Sequence, residues 1–387
     1  MIDIYFDNAA TTKIDSEVED KINEINNKFY ANPSAMHRMG FYAEEHVKES
    51  SLIIADILHC DSDEIIWTSG GTESNNLAIS GYVNSYKKNG NKLITTKIEH
   101  PSVKKVFESL KDEGFNITYL DVDSKGHISI DNLINEIDDK TILVSIMYVN
   151  NEIGSLQRIE DIGKTIKTKN KNCAFHVDFV QGFSKYRINV KKSFIDFLSI
   201  SSHKFNGPKG VGVLYKNKSL RIKPLMLGGS QQNNLRAGTL NVPGIVGTAY
   251  ASKIAYNNIN EEYVKLKNLK EYLIEKLVKL NDIYGIIIIN SDNDDTFAPH
   301  IISITFKNIR SEVMLHALED EGVYVSSGSA CSSHNKKLSD TLISIGIKPE
   351  LAECTIRVSF GKYNKKEEID KFIDILNVLI PKLSIRK

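Results

Sequence analysis

The chain predicts an α/β fold: a large domain on a mostly parallel, helix-covered sheet, joined to a smaller α+β domain. Three observations carry this. Between positions 65 and 200, short apolar runs alternate with stretches of helical periodicity, the pattern of strand–helix–strand units. The run at 141–149 is rich in apolar residues, as strands covered on both faces are. A long charged amphipathic helix expected around 250–280 then gives way to strands and helices in a less regular order. The 387 residues suffice for two or three domains. The expected division is 15–255 for the large domain, with 1–14 and 256–387 forming the small one.

Each element follows from local pattern. Residues 1–14 form an arm with Asp7 and Asn8 as turn formers. Positions 16–28 are helical, with Val18, Ile22 and Ile25 on one face. Asn32-Pro33-Ser34 breaks the chain before a helix at 40–58, in which Val47, Leu52, Ile53 and Ala55 are apolar. Strands are expected at 65–68, 92–96, 116–120, 141–149, 173–177 and 194–200. Helices are expected between them at 72–87, 101–113, 130–137 and 159–168, and 211–215 reads as an antiparallel addition. The smaller domain reads as strands at 286–289, 300–306, 323–325 and 356–360, with helices at 311–321, 339–345 and 366–383.

Composition narrows the function classes. Lys+Arg and Asp+Glu both number 49, so no basic surface points to nucleic acid or to a membrane. No apolar run reaches the length of a membrane span, and the first residues are too polar for a signal peptide. The expectation is a cytoplasmic protein. The four cysteines, Cys60, Cys173, Cys331 and Cys354, include no C-x-x-C pair, so no metal site is expected.

Polar residues stand where the strands end. Thr68-Ser69-Gly70-Gly71-Thr72 joins a strand to a helix. Gly70 and Gly71 let the backbone approach a ligand, and a helix start binds phosphate. By itself the turn is also an ordinary N-cap. His100, before Pro101, sits at another strand-to-helix turn, where a cap is the plainer reading. Asn151 follows a strongly apolar strand. Asp178 ends a buried strand, where a carboxylate needs a cationic partner. His203-Lys204 follows the next strand, and a desolvated or crowded lysine there is a candidate amine nucleophile. A Schiff-base lysine, an acid for a ring nitrogen and a phosphate cradle are what pyridoxal phosphate needs.

The motifs then carry a resemblance. They are Y-F-D-N-A-A-T-T at 5–12, N-P-S-A-M-H at 32–37, T-S-G-G-T-E-S-N-N at 68–76, E-H-P at 99–101 and V-N-N-E-I-G at 149–154. They continue with H-V-D-F-V-Q at 176–181, S-S-H-K-F-N-G-P-K-G at 201–210, L-R-A-G-T at 235–239 and S-S-G-S-A-C-S-S at 326–333. In this order, over nearly the whole length, the chain resembles the cysteine desulfurases, in the class V branch of the fold type I aminotransferases.

The resemblance implies roles residue by residue. Lys204 holds pyridoxal 5'-phosphate covalently, Asp178 pairs with its ring nitrogen, and His100 stacks on the ring and shuttles protons. Gly71, Thr72, Ser201 and His203 take the phosphate, with Thr239 reaching in from the other subunit of a homodimer. Gln181 meets the ring hydroxyl, Asn151 lies beside ring and substrate, and Arg357 clamps the substrate carboxylate. Cys331, among small polar residues that suit an exposed, ionisable thiol, takes the sulfur of L-cysteine as a persulfide and leaves L-alanine. Lys204 or His100 removes the α-proton. Cys60, Cys173 and Cys354, in or beside apolar segments, read as packing residues. The sulfur acceptor is an iron–sulfur scaffold or a tRNA thiolation protein. A selenocysteine lyase, another class V enzyme or a non-catalytic desulfurase-like partner are the alternatives. One departure stands out: Gly228-Gly229 is followed by Ser230-Gln231-Gln232-Asn233-Asn234, where the family commonly has Gln-Glu.

Overall fold

The computed structural model describes residues 3–327 and 338–384. A short strand, β1 (Ile4–Tyr5), precedes α1 (Ser16–Lys28) and α2 (Arg38–Leu58). The alternating segment follows: β2 (Ile65–Thr68), α3 (Gly71–Tyr86), β3 (Lys92–Thr96), α4 (Pro101–Asp112), β4 (Asn116–Leu120), α5 (Ile130–Glu136), β5 (Thr141–Met147), α6 (Ile159–Lys169), β6 (Ala174–Asp178), β7 (Phe197–Ser201) and β8 (Gly212–Lys216). Their strands form one seven-stranded sheet in the order β2-β8-β7-β6-β5-β3-β4. β8 is antiparallel to both of its neighbours, and the remaining pairs are parallel. The antiparallel strand therefore lies inside the sheet, between β2 and β7. Gly212 allows the insertion: a Cβ there would lie 2.5 Å from Gly70 Cα.

Capping sets several helix starts. Asp15 accepts from Glu17 N at 3.0 Å to open α1, and Pro101 occupies the first position of α4 behind His100. On α2 the buried face is Ala43, Ser50, Ile54, Ala55 and Leu58, while Leu52 points to solvent. The free edge of β2 is covered in an unusual way. The Gln232 side-chain amide accepts from Trp67 N at 2.7 Å and donates to Trp67 O at 2.8 Å. Gln232, Asn233 and Asn234 all have left-handed backbone angles, which present that amide to the strand and blunt an edge otherwise open to pairing. In the segment that departs from the family's Gln-Glu pattern, these loop contacts are made by an amide.

The stretch around 250–280 is two helices, α7 (Val242–Asn257) and α8 (Ile259–Tyr284), where one was expected. The break falls at Asn258, whose Nδ2 donates back to Ile254 O at 3.1 Å. An asparagine side chain competes with the backbone for such partners and disfavours helix continuation.

Beyond α8 come β9 (Ile287–Ile289), β10 (Ile301–Phe306), α9 (Ser311–Asp320), β11 (Val323–Tyr324), β12 (Ser326–Ser327), α10 (Asp340–Ser344), α11 (Pro349–Ala352), β13 (Thr355–Ser359) and α12 (Lys366–Ser384). A four-stranded sheet has the order β12-β13-β10-β9, and β1 pairs in parallel with β11. One hydrophobic core runs from Val18 to Ile259 under the large sheet. Another joins Leu266, Leu273 and Leu277 of α8 to Ile302, Val358 and Phe372, and takes in Ile4 and Phe6 from the arm. Phe6 packs edge-on against Phe360 and Phe372. No helix among the described residues is long and apolar enough to cross a membrane.

Candidate active site

Because β8 alone is reversed, the carboxyl ends of β2, β3, β5, β6 and β7 share one edge of the sheet, where α/β folds bind ligands. Thr68 ends β2 and Ser201 ends β7, and both pair with Gly212. Between them α3 begins. A Cβ on Gly71 would lie 2.8 Å from Val180 Cγ2 and 3.5 Å from Ser201 Cβ, so only a residue without a side chain brings the α3 N-terminus this near β6 and β7. Thr72 is exposed in the first turn. The start of a sixteen-residue helix, with Thr72, Ser201 and the turn at His203, makes a cradle with the polarity an anion requires.

Asp178 ends β6 and is only 5% exposed. Oδ1 accepts from Val180 N at 3.0 Å and Oδ2 from Asn75 Nδ2 at 2.8 Å. Both donors are neutral, and Asp178 forms no salt bridge among the described residues. A buried carboxylate in that state is short of a cation.

Lys204 stands in the turn after β7. Its Nζ donates to Ala9 O at 2.6 Å and Ala10 O at 2.8 Å. Gln181 Nε2 donates to the same Ala9 O at 2.9 Å. The arm is pinned over this turn by Thr12, whose N and Oγ1 both donate to His203 O at 2.9 and 2.8 Å, and by Thr11 Oγ1, 3.1 Å from His203 Nδ1. His203 does not act as a crowding cation. Burial first, then Lys204 and Lys209, bring its pKa down to about 4, so the ring is neutral near pH 7 and the Lys204 amine is oriented by carbonyls instead.

His100 caps α4, as its plainer reading has it. Nδ1 accepts from Ser102 N at 3.1 Å and lies 2.8 Å from Ser102 Oγ. Burial holds this imidazole below its ordinary value; Asp178 opposes that shift and Lys204 adds to it. Both charges thus reach the same ring. Beside it, Glu99 is buried, with Oε1 accepting from Thr96 Oγ1 at 2.7 Å and Met147 N at 3.0 Å, and Oε2 without a partner. Burial pushes its pKa up to about 8, so it is protonated at neutral pH. The folded value lies above the unfolded one; its contribution is present below about pH 4.3 and is lost as pH rises toward 8. Glu99→Gln keeps the acceptor and cannot ionise. Its melting temperature is expected to fall less than that of the wild type between these limits, by the equivalent of a few kcal/mol; parallel curves in thermal unfolding would contradict this.

Arg357 lies on β13, 8% exposed. Nη2 pairs with Asp7 Oδ1 at 2.7 Å and Nη1 donates to Asn151 O at 2.8 Å, while Nε is buried without a partner. The guanidinium has five N–H donors, so three are left after these bonds. Asp7 and Asn8 do more than turn the chain. Asn8 Nδ2 donates to Ser359 O at 3.0 Å and Asn364 Oδ1 at 3.1 Å, tying the arm to β13.

Cys331 lies outside the described residues. The segments on either side of it are fixed close to Arg357 and Asn151. Ser326 and Ser327 pair with Arg357 and Ile356, and Ser339 Oγ donates to the Glu152 carboxylate. Burial pushes the Cys60 and Cys173 thiols up to about 12 and raises that of Cys354, which suppresses their thiolates.

The structure thus gathers Gly71, Thr72, Asp178, Ser201, His203 and Lys204 at one sheet edge, with Gln181 joined to Lys204 through Ala9 and His100 within reach of Asp178 and Lys204. Asn151 meets Arg357 through its carbonyl. Thr239 is exposed and makes no hydrogen bond with any described residue. Sequence reasoning missed Asn75, Ser102, Glu99 and the Ala9–Ala10 carbonyls. Asn75 had a signal: it stands one turn after Gly71, on the face of α3 that meets the sheet.

An α/β sheet with a helix-start cradle, a strand-end carboxylate and a lysine turn at one edge is the architecture of the class-V aminotransferases. The chain belongs to that family, whose model matches residues 4–372. Among its relatives, the cysteine desulfurase IscS of Dictyoglomus turgidum is 40% identical over 382 residues, covering 98% of this chain and 95% of that protein. A solved NifS-like protein superposes with a TM-score of 0.91 at 36% identity, covering 98% of this chain and 99% of that one. A structure described as SspA in complex with cysteine gives a TM-score of 0.78 at 32% identity, covering 94% and 100%.

Proposed function

We propose that this chain is a pyridoxal-phosphate-dependent cysteine desulfurase that converts L-cysteine to L-alanine and carries the sulfur as a persulfide on Cys331. The observation that supports it most is Asp178, a buried carboxylate bonded only by neutral donors, on the same edge as an amine and an anion cradle. Pyridoxal phosphate fits those residues: its protonated ring nitrogen is the missing cation, and its phosphate suits the α3 start. Lys204 would hold it covalently, with Gly71, Thr72, Ser201 and His203 at the phosphate and Gln181 and Asn151 beside the ring. Thr239, exposed here, would complete the cradle of a second copy in a homodimer. When bound, the cofactor supplies an electron sink for a carbanion at the substrate Cα.

The remaining steps belong to the chain. Arg357, braced by Asp7 and Asn151, receives the substrate carboxylate on its unused donors. The Lys204 amine would take the α-proton. The Cys331 thiolate attacks the cysteine sulfur; the new S–S bond forms as the C–S bond breaks, and that electron pair stays on the carbon that becomes the alanine methyl. The outer sulfur then passes to a cytoplasmic acceptor, an iron–sulfur scaffold or a tRNA thiolation protein.

Two assays test this reading. L-cysteine is expected to yield alanine and a thiol-transferable sulfur in equal amounts. Faster alanine release from selenocysteine, with no persulfide, would favour a selenocysteine lyase instead, and a keto-acid product an aminotransferase. Arg357→Lys keeps the charge and loses the fork. It is expected to raise the KM for cysteine by roughly tenfold or more, with a smaller change in kcat; an unchanged KM would place the carboxylate elsewhere.

A further inference from the structure

We propose that Asn75 and Ser102 are positioning residues that make His100 a hydrogen-bond donor toward the reacting atoms and keep it from serving as their base. The proposal rests on the desulfurase reading and deepens it at one residue.

The geometry is a chain of side chains from the end of β6 to the start of α4. Asp178 Oδ2 accepts from Asn75 Nδ2 at 2.8 Å, and the same amide nitrogen donates to Ser102 Oγ, also at 2.8 Å. A carboxylate oxygen only accepts, so Asp178 fixes which way the amide faces. Both of its hydrogens are then committed, and Asn75 Oδ1 is left buried with no partner. Buried polar atoms are seldom left unpaired; this one is tolerated because the amide is placed for what its nitrogen holds. Ser102 Oγ receives a hydrogen from Asn75, so its own is directed to His100 Nδ1, 2.8 Å away. Ser102 N–H donates to that nitrogen as well, at 3.1 Å.

Two donors converging on Nδ1 need its lone pair, so the proton of the neutral ring is on Nε2. No described residue bonds Nε2. A second proton would have to enter at Nδ1, against a backbone N–H that cannot turn away and a hydroxyl held in direction by Asn75. The charged groups that bear on the ring are Asp178 from β6 and Lys204 from the turn after β7, and they act in opposite directions. His100 therefore donates from Nε2, and of the two candidates for the α-proton, Lys204 is the base.

The test uses the full chain loaded with pyridoxal phosphate and isotope-labelled at its histidine nitrogens. Long-range proton–nitrogen correlation spectra are recorded across the pH range in which the chain stays folded, and His100 is assigned as the signal lost in His100→Asn. The expected wild-type signal is a neutral ring protonated on Nε2, with no titration near the ordinary value of about 6.5. Ser102→Ala removes one donor from Nδ1 and is expected to raise the ring's proton affinity by about tenfold, one pH unit. Asn75→Ala is expected to shift it the same way, because the serine hydroxyl is then free to turn and accept. Ser102→Thr keeps the hydroxyl and is expected to restore the wild-type signal. A wild-type ring protonated on Nδ1, ordinary titration, or a Ser102→Ala spectrum identical to the wild type would each overturn the proposal. If Ser102→Ala does not fold, the wild-type spectrum alone decides it. The signal needs no turnover. A chain that made no alanine from cysteine would refute the desulfurase reading and leave this result standing, and the reverse also holds.

Discussion

Cys331→Ala is expected to abolish alanine formation from L-cysteine, by roughly 10³-fold or more, while the cofactor's absorbance band remains. The physical reason is that no other thiol is equipped to replace it. Cys60 and Cys173 have pKa values pushed up to about 12 by burial, and that of Cys354 is raised in the same way, so little of any of them is thiolate at neutral pH. In sequence Cys331 stands among small residues, Gly328-Ser329-Ala330 before it and Ser332-Ser333 after it, the composition expected around a reactive thiol rather than a packing one. The segments that flank it are held beside the site, Ser326 opposite Arg357 in the sheet and Ser339 on Glu152. Alanine assays and absorbance spectra on the same preparation separate loss of the nucleophile from loss of the cofactor. Retained turnover with cysteine would mean that a different thiol receives the sulfur.

Lys204→Ala is expected to remove the visible band of the covalently held cofactor and to lower turnover by a comparable factor. The substitution also deprives Ala10 O of the Nζ it accepts from, while Ala9 O keeps Gln181 Nε2. Some loss of order in the arm accompanies the loss of chemistry, so Lys204→Arg serves as a control. It keeps a cation for the two carbonyls but cannot form the covalent link. If the band persisted in either variant, another lysine would be the anchor.

Much of the fold was legible because its signals are local. Apolar strand cores and the helix start at His100-Pro101 mark their own elements. The break at Asn258 was not, since it depends on one asparagine side chain winning against helix propagation. The position of β8 inside the sheet was hidden too, because pairing order is a tertiary property. At the site, strand-end residues could be found from sequence, and family motifs supplied their expected roles. The second layer was legible only in part: Asn75 is marked by its place one turn after Gly71, while Ser102 is an ordinary polar residue until α4 brings it to His100 and Asn75. The arm was the largest omission. Asp7 reads as a turn former in sequence and Ala9 and Ala10 suggest no role by themselves, yet they brace Arg357 and hold Lys204.

The most direct test of the central claim is to give the chain one equivalent of L-cysteine without reductant, alkylate its thiols and map them by peptide mass spectrometry. The account predicts one extra sulfur atom on Cys331 and an equal amount of alanine. Alanine released while Cys331 carries no added sulfur, or sulfur found on Cys60, Cys173 or Cys354 instead, would contradict it.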